Sequence, residues 1–175
     1  MEYHQPVLLK ESIDGLKIKS NGVYLDLTYG GGGHSKEILK RLRSGKLIAF
    51  DQDKDVFKNL ISNKKLEFFQ CNYRFFYNFL EYLGIEEADG ILADLGVSAY
   101  HFNQPDRGFS FRFDSKLDMR MNQNNSRTAS YVINNYSAYA LGQVLRNYGE
   151  LKKTHSLVDA IIQRRKQQEI TTTSE

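Results

Sequence analysis

Gly22-Val23-Tyr24-Leu25-Asp26-Leu27-Thr28-Tyr29-Gly30-Gly31-Gly32-Gly33-His34-Ser35 decides how the rest of the chain is read. Val23–Leu27 is short, apolar and rich in strand formers, which predicts a buried strand. Four glycines follow. Ile38, Leu39 and Leu42 then fall on one face at helical spacing, so a helix is entered through the glycine turn. Strand, glycine turn and helix together form the nucleotide-cofactor element of doubly wound sheets, where glycine lets the backbone approach a ligand closely. A plain turn is the alternative reading. Asp26 near the strand end would repel a pyrophosphate and suits a cofactor carrying an ammonium and a sulfonium, S-adenosylmethionine. Alternatively, Asp26 caps the turn.

Outward from this stretch, Lys46–Asp51 predicts a second buried strand ending in an acid. Asp51 lies 18 residues after Gly33, close to the ~20 expected of a carboxylate that binds ribose hydroxyls. Its alternative is a helix cap, since Asp53 and Asp55 crowd the same turn. Val56, Phe57, Leu60 and Ile61 predict a helix. Leu66–Cys71 predicts a third strand, and Tyr73 beyond it suits an adenine ring or the core. Phe75, Phe76, Phe79, Leu80 and Leu83 predict a core-packing helix. Asp89–Ser98 reads as the fourth strand and its exit loop, so that Asp26, Asp51 and Asp94 close three strands. Right-handed crossovers place the strands in the order 3-2-1-4. Ahead of all this, Pro6, Val7, Leu8, Leu9 and Ile13 predict a packing helix ended by Gly15. His4 receives no role.

Composition sets outer limits. A chain of 175 residues with 41% hydrophobic and 26% charged residues forms one domain, or one domain with an insertion. No apolar run reaches membrane-spanning length, and Cys71 is the single cysteine, which fits a cytoplasmic protein. The four histidines are scattered, so no metal site is expected. Residues 1–99 carry 13 Lys/Arg against 14 Asp/Glu, and residues 100–175 carry 11 against 7. A basic C-terminal part beside a near-neutral cofactor half points to a polyanionic substrate or to a solvated helical surface.

Past residue 100 the pattern changes. His101–Asn125 is a long polar segment carrying Arg107, Arg112 and Arg120 among Phe109, Phe111 and Phe113, a mixture suited to phosphate and base contacts. A hairpin stapled by those phenylalanines is the competing reading. Helices are expected over 128–134, 138–146 and 154–165, and Ile170–Glu175 reads as a connection.

His4-x-Pro6-Val7-Leu8-Leu9-x-Glu11, Gly30–Ser35, Asp94-Leu-Gly-Val-Ser98, Arg107-Gly-Phe-Ser-Phe111 and Leu117-Asp-Met-Arg-Met121 occur in that order. With Tyr148-Gly149-Glu150 and Ile170-Thr171-Thr172 they resemble the bacterial small-subunit (16S) ribosomal RNA cytosine-N4 methyltransferases along the whole chain. The resemblance implies an α/β, Rossmann-like class I S-adenosylmethionine-dependent methyltransferase fold with a parallel sheet and a helical insertion. It divides the chain into residues 1–104, the N-terminal part of the methyltransferase domain, and 105–175, an RNA-binding insertion. It implies cofactor contacts at Gly32, Gly33, His34, Asp51, Tyr73, Asp94 and His101. Tyr73 stands where the family usually has Phe, and His101 where it often has Gln. The implied substrate is a cytidine of the decoding region in 16S rRNA of the small ribosomal subunit, with Arg107, Arg112 and Arg120 on its phosphates.

Family chains run on well past this length with further strands, so a C-terminally truncated member lacking the last strands is expected. Its open fourth strand would invite aggregation or a homodimer. Asp94 or its loop carbonyls are the candidate acceptor beside the cytosine amine. Two rivals stand beside this reading: a non-catalytic cofactor- or RNA-binding fragment, and a nicotinamide dehydrogenase, whose Gly-x-Gly-x-x-Gly pattern is only loosely met.

Overall fold

The computed structural model describes residues 6–175, and the chain divides into two compact units between Ser98 and Ala99. His4 and Gln5 of the opening motif lie outside the described residues.

The first unit is a four-stranded parallel sheet. Strands β1 (Val23–Asp26), β2 (Lys46–Asp51), β3 (Leu66–Gln70) and β4 (Gly90–Leu92) take the order β3-β2-β1-β4, as the crossover rule predicts. Val23 pairs with Lys46 and Asp26 with Ala49, so β1 and β2 end nearly level. Side chains alternate across the sheet, as a period of two requires. Tyr24 and Leu47 pack with Ile13, Ile38, Leu39 and Leu42 on one face; Leu25, Leu27, Ile48 and Phe50 pack with Leu80 on the other. The first face is covered by α1 (Leu9–Gly15) and α2 (Gly33–Arg41), the second by α3 (Phe76–Tyr82).

Two helical expectations are corrected. Pro6–Leu8 do not form the first turn of α1. Leu8 takes a left-handed conformation at φ 49°, and Val7 and Leu8 are 69% and 65% exposed. Lys54–Asn59 is a 3-10 segment rather than an α-helix, because the Asp53 carboxylate caps it through the Asp55 amide and only Val56 turns inward. Phe57 and Leu60 are exposed.

The second unit contains the short helix α4 (Ala99–Phe102), then α5 (Ala129–Asn135), α6 (Ala138–Asn147) and α7 (His155–Gln167). Thr128 and Ser137 cap α5 and α6 through the amides three residues on. Between α4 and α5 the chain forms no hairpin; the phenylalanine alternation does not build one. Instead residues 113–118 lie beside the C-terminal segment. Lys116 bridges Thr172 antiparallel, the Leu117 amide donates to Thr171 O (2.8 Å), and the Thr173 amide donates to Ser115 O (2.9 Å). Asn134 reads the Ile170 backbone in both directions, donating to its carbonyl (2.7 Å) and accepting from its amide (3.0 Å). Ile170–Thr173 is therefore fastened into the second unit along its length. Among the described residues, no helix is long and apolar enough to cross a membrane.

Candidate functional site

At the carboxyl end of the first unit's sheet, the loops leaving β1, β2 and β4 are tied to one another. The Gly30 amide donates to Asp51 Oδ2 (2.8 Å), which joins the β1 exit to the end of β2. The Asp94 amide donates to Thr28 Oγ1 (2.8 Å), which joins the β4 exit to β1. Asp51 also receives the Asp53 amide on Oδ1 (2.9 Å). Past β3, Asn72 Nδ2 donates to Gln52 Oε1 (3.3 Å), and Tyr73 follows with its ring partly exposed. Gly30 with Asp51, and Thr28 with Asp94, are thus paired at one rim.

Asp26 is not presented at that rim. It has no exposed surface, accepting the Ser35 hydroxyl on Oδ2 (2.6 Å) and the Thr28 amide on Oδ1 (3.1 Å). The expectation of direct contact with a cationic cofactor is corrected here. Side-chain alternation turns Asp26 to the face of Tyr24, beneath α2, so it shapes the turn from within. Burial pushes its pKa up, against the Ser35 hydroxyl and Thr28 amide, which both favour the charged form.

Within the glycine turn, two positions exclude any side chain. Gly32 adopts φ 75°, and a Cβ there would lie 2.6 Å from the Tyr29 hydroxyl. A Cβ on Gly33 would collide with Pro6 Cγ. At both positions the space a side chain would need is filled by the protein itself. Tyr29 is in turn fixed by donating to Asn59 O and accepting from the Ile61 amide, both at 2.9 Å. Gly33, His34 and Ser35 open α2, where amides lack an intrahelical carbonyl. His34 is 7% exposed, and its Nε2 has no hydrogen-bond partner among the described residues.

Asp94 lies two residues beyond β4 in an exposed loop, Ala93–Val97. Its carboxylate accepts no hydrogen bond among the described residues. Cys71 is half-buried, and burial pushes its thiol pKa up, which disfavours a thiolate nucleophile. Among the described residues, no group of three His, Cys, Asp or Glu side chains gathers to hold a metal.

In the second unit, His101 is buried, with Phe109 and Tyr100 edge-on to its ring at 5.5 and 5.8 Å. The three arginines expected on phosphate have other engagements. Arg107 is 3% exposed, and its Nη2 donates to Arg120 O (3.0 Å) and Met121 O (3.1 Å), while its own carbonyl receives the Met119 amide. Arg120 grips Asp118 through Nε (2.8 Å) and Nη2 (2.6 Å), and its Nη1 reaches Gln123 O and Asn125 O. The guanidinium beside Asp118 holds that carboxyl below its ordinary range. The Arg107–Phe111 and Leu117–Met121 motifs are therefore knitted to each other. Arg107 is corrected from surface contact to internal fastener, because its buried Nη2 satisfies two loop carbonyls at once. Arg112 is exposed and donates to Ser110 Oγ, Phe102 O and Asn103 Oδ1.

Sequence reasoning passed over Thr28 and Ser35. The alternation of β1 carried a signal for both: with Tyr24 turned to α2, Asp26 must follow, and a hydroxyl in the first turn of α2 is its natural partner.

Comparison with known proteins adds the following. The MraW methylase family profile matches residues 1–175. The chain is 52% identical over 171 residues to the "Ribosomal RNA small subunit methyltransferase H" of Phocaeicola vulgatus, covering 97% of this chain and 56% of that one. It is 51% identical over 176 residues to the proteins of the same name from Christiangramia forsetii and Flavobacterium johnsoniae, covering 100% of this chain and 58% of each relative. The chain thus spans a little over half the length of these curated relatives.

Proposed function

The chain belongs to the MraW methylase family, and from that premise we propose that it carries the methyl-donor site of an S-adenosylmethionine-dependent methyltransferase. The acceptor is the N4 amine of a cytidine in the decoding region of small-subunit ribosomal RNA. The observation that carries this reading is the tying of three strand-exit loops at the carboxyl end of a parallel sheet, through Gly30–Asp51 and Thr28–Asp94. Ligands of such sheets sit at that end.

The residues present fit the donor. Opening amides of α2 beside a buried, unpartnered His34 Nε2 suit a carboxylate end. Asp51 at the end of β2 suits a ribose diol, and Tyr73 an adenine face. When bound, S-adenosylmethionine supplies an electrophilic methyl group on its sulfonium. The protein's share is positioning. The cytosine amine is a weak nucleophile, its lone pair being delocalised into the ring. Asp94, exposed in the loop after β4, accepts a hydrogen bond from that amine and favours its pyramidal form. The base is unstacked to reach it.

The second unit would hold the RNA. Residues 100–175 carry 11 Lys/Arg against 7 Asp/Glu, and Phe111, Tyr139 and Tyr148 are exposed. Arg112 and these rings would meet phosphate and bases, with Arg107 and Arg120 shaping the loop behind them. Titration calorimetry with S-adenosylmethionine and tritiated-methyl transfer to unmodified small subunits test the proposal. Binding with transfer supports it. Binding without transfer would make the chain a cofactor-binding part only. Binding of NAD in preference to S-adenosylmethionine would overturn it.

A further inference from the structure

Strand β4 is three residues long and pairs with β1 alone among the described strands. The Leu27 amide makes the final contact of that pairing, to Leu92 O at 2.9 Å. Beyond it, among the described residues, one hydrogen bond ties the exposed loop Ala93–Val97 to β1: the Asp94 amide to Thr28 Oγ1 (2.8 Å). The Thr28 amide in turn donates to Asp26 Oδ1 (3.1 Å), and the other oxygen of that buried carboxylate takes the Ser35 hydroxyl (2.6 Å). A continuous chain of hydrogen bonds, Ser35–Asp26–Thr28–Asp94, therefore runs from the first turn of α2 to the loop after β4. Its inner end is buried, so competing water is excluded there; its outer end holds a loop with little else to order it.

We infer that Thr28 is a positioning residue for methyl transfer, with its side-chain oxygen setting the place of the Asp94 loop relative to the turn that receives the donor. A role in transfer presupposes the methyltransferase activity proposed above. Thr28 touches neither reactant in this role; it acts through Asp94. Small displacements of a reacting group cost large factors in rate, so one lost tether is expected to show in turnover more than in donor affinity.

The test compares Thr28→Val, which keeps the shape and removes the acceptor, with Thr28→Ser, which restores it. Hydrogen exchange at the Asp94 amide, thermal unfolding, S-adenosylmethionine affinity and methyl transfer to unmodified small subunits are measured on each. In Thr28→Val, Asp94 exchange rises roughly five- to tenfold. Turnover falls about tenfold, while the donor Kd moves less than about threefold. Thr28→Ser stays within about twofold of wild type throughout. Unchanged Asp94 exchange in Thr28→Val overturns the tether whatever happens to transfer. Unchanged turnover, or a loss that Thr28→Ser does not rescue, overturns the positioning role. A wild-type protein that binds and transfers nothing overturns the activity and the role together, while the exchange measurement still reports on the tether.

Discussion

Leu25, Ile38, Leu47, Ile48 and Phe50 in the first unit expose no surface, whereas the buried apolar side chains described in the second are Leu141, Val158 and Ile170. The three apolar clusters all lie in the first unit. In their place, the second unit uses Arg107, Arg120, Asn134 and Thr173, each reaching from a side chain to backbone several residues or several tens of residues away. Apolar burial is non-directional and tolerates small shifts. Hydrogen bonds from a buried guanidinium demand particular geometry and are expensive to leave unmade. The sheet unit should thus tolerate small shifts in side-chain position, and the second unit should depend on a few irreplaceable donors.

The largest expected effect breaks the first half of this contrast. Phe50 packs against both Phe69 and Phe79, at ring distances of 5.7 and 5.6 Å. Phe50→Ala should destabilise the first unit by about 3–5 kcal/mol, read from urea unfolding. A cost below about 1 kcal/mol would mean that the cluster is not the source of stability.

Next comes the counterpart in the second unit. Arg107→Ala strands the Arg120 and Met121 carbonyls and should cost about 2–4 kcal/mol, with faster hydrogen exchange across residues 117–121. Arg107→Lys should recover less than half of it, because an ammonium on a flexible stem is not held where the planar guanidinium places Nη2. Full recovery would show that charge alone matters there.

The pH dependence of the two units should have opposite signs. Asp118 has a lowered pKa, so its contribution is present above the ordinary carboxylate pKa and is lost as pH falls through the folded value. Asp26 has a raised pKa, so its contribution is full below the ordinary value and is lost as pH rises through the folded one. Asp26→Asn keeps both partners, with the amide donating to Ser35, and should leave unfolding at pH 8 unchanged or improved. Asp26→Ala should cost roughly 1–2 kcal/mol by leaving the Thr28 amide unpaired. A destabilising Asn variant would show that the charge itself is needed.

The smallest expected change in stability is at the surface. Phe111 is 92% exposed, so Phe111→Ser should shift stability by less than about 0.5 kcal/mol. It should nonetheless weaken binding to small-subunit RNA, by filter binding, by about 1 kcal/mol or more if a base stacks on the ring. Unchanged RNA binding would remove Phe111 from the interface.

What the amino-acid sequence determined without help was the sheet. Each strand is a run of side chains that must leave water, each crossover has one favoured hand, and both are local or nearly local facts. The order 3-2-1-4, the bounds of β2 and the buried face of α2 all follow. Only the tertiary structure decided which polar groups face inward. Asp26 and Arg107 look like ligand chemistry when read along the chain. Their partners, namely Ser35 across a turn and the Met121 carbonyl across a loop, are brought to them by folding. A carboxylate or guanidinium carries no mark in its own residue type of whether a ligand or the protein itself will satisfy it. That is settled by which neighbour arrives within hydrogen-bond distance, and arrival depends on long-range packing.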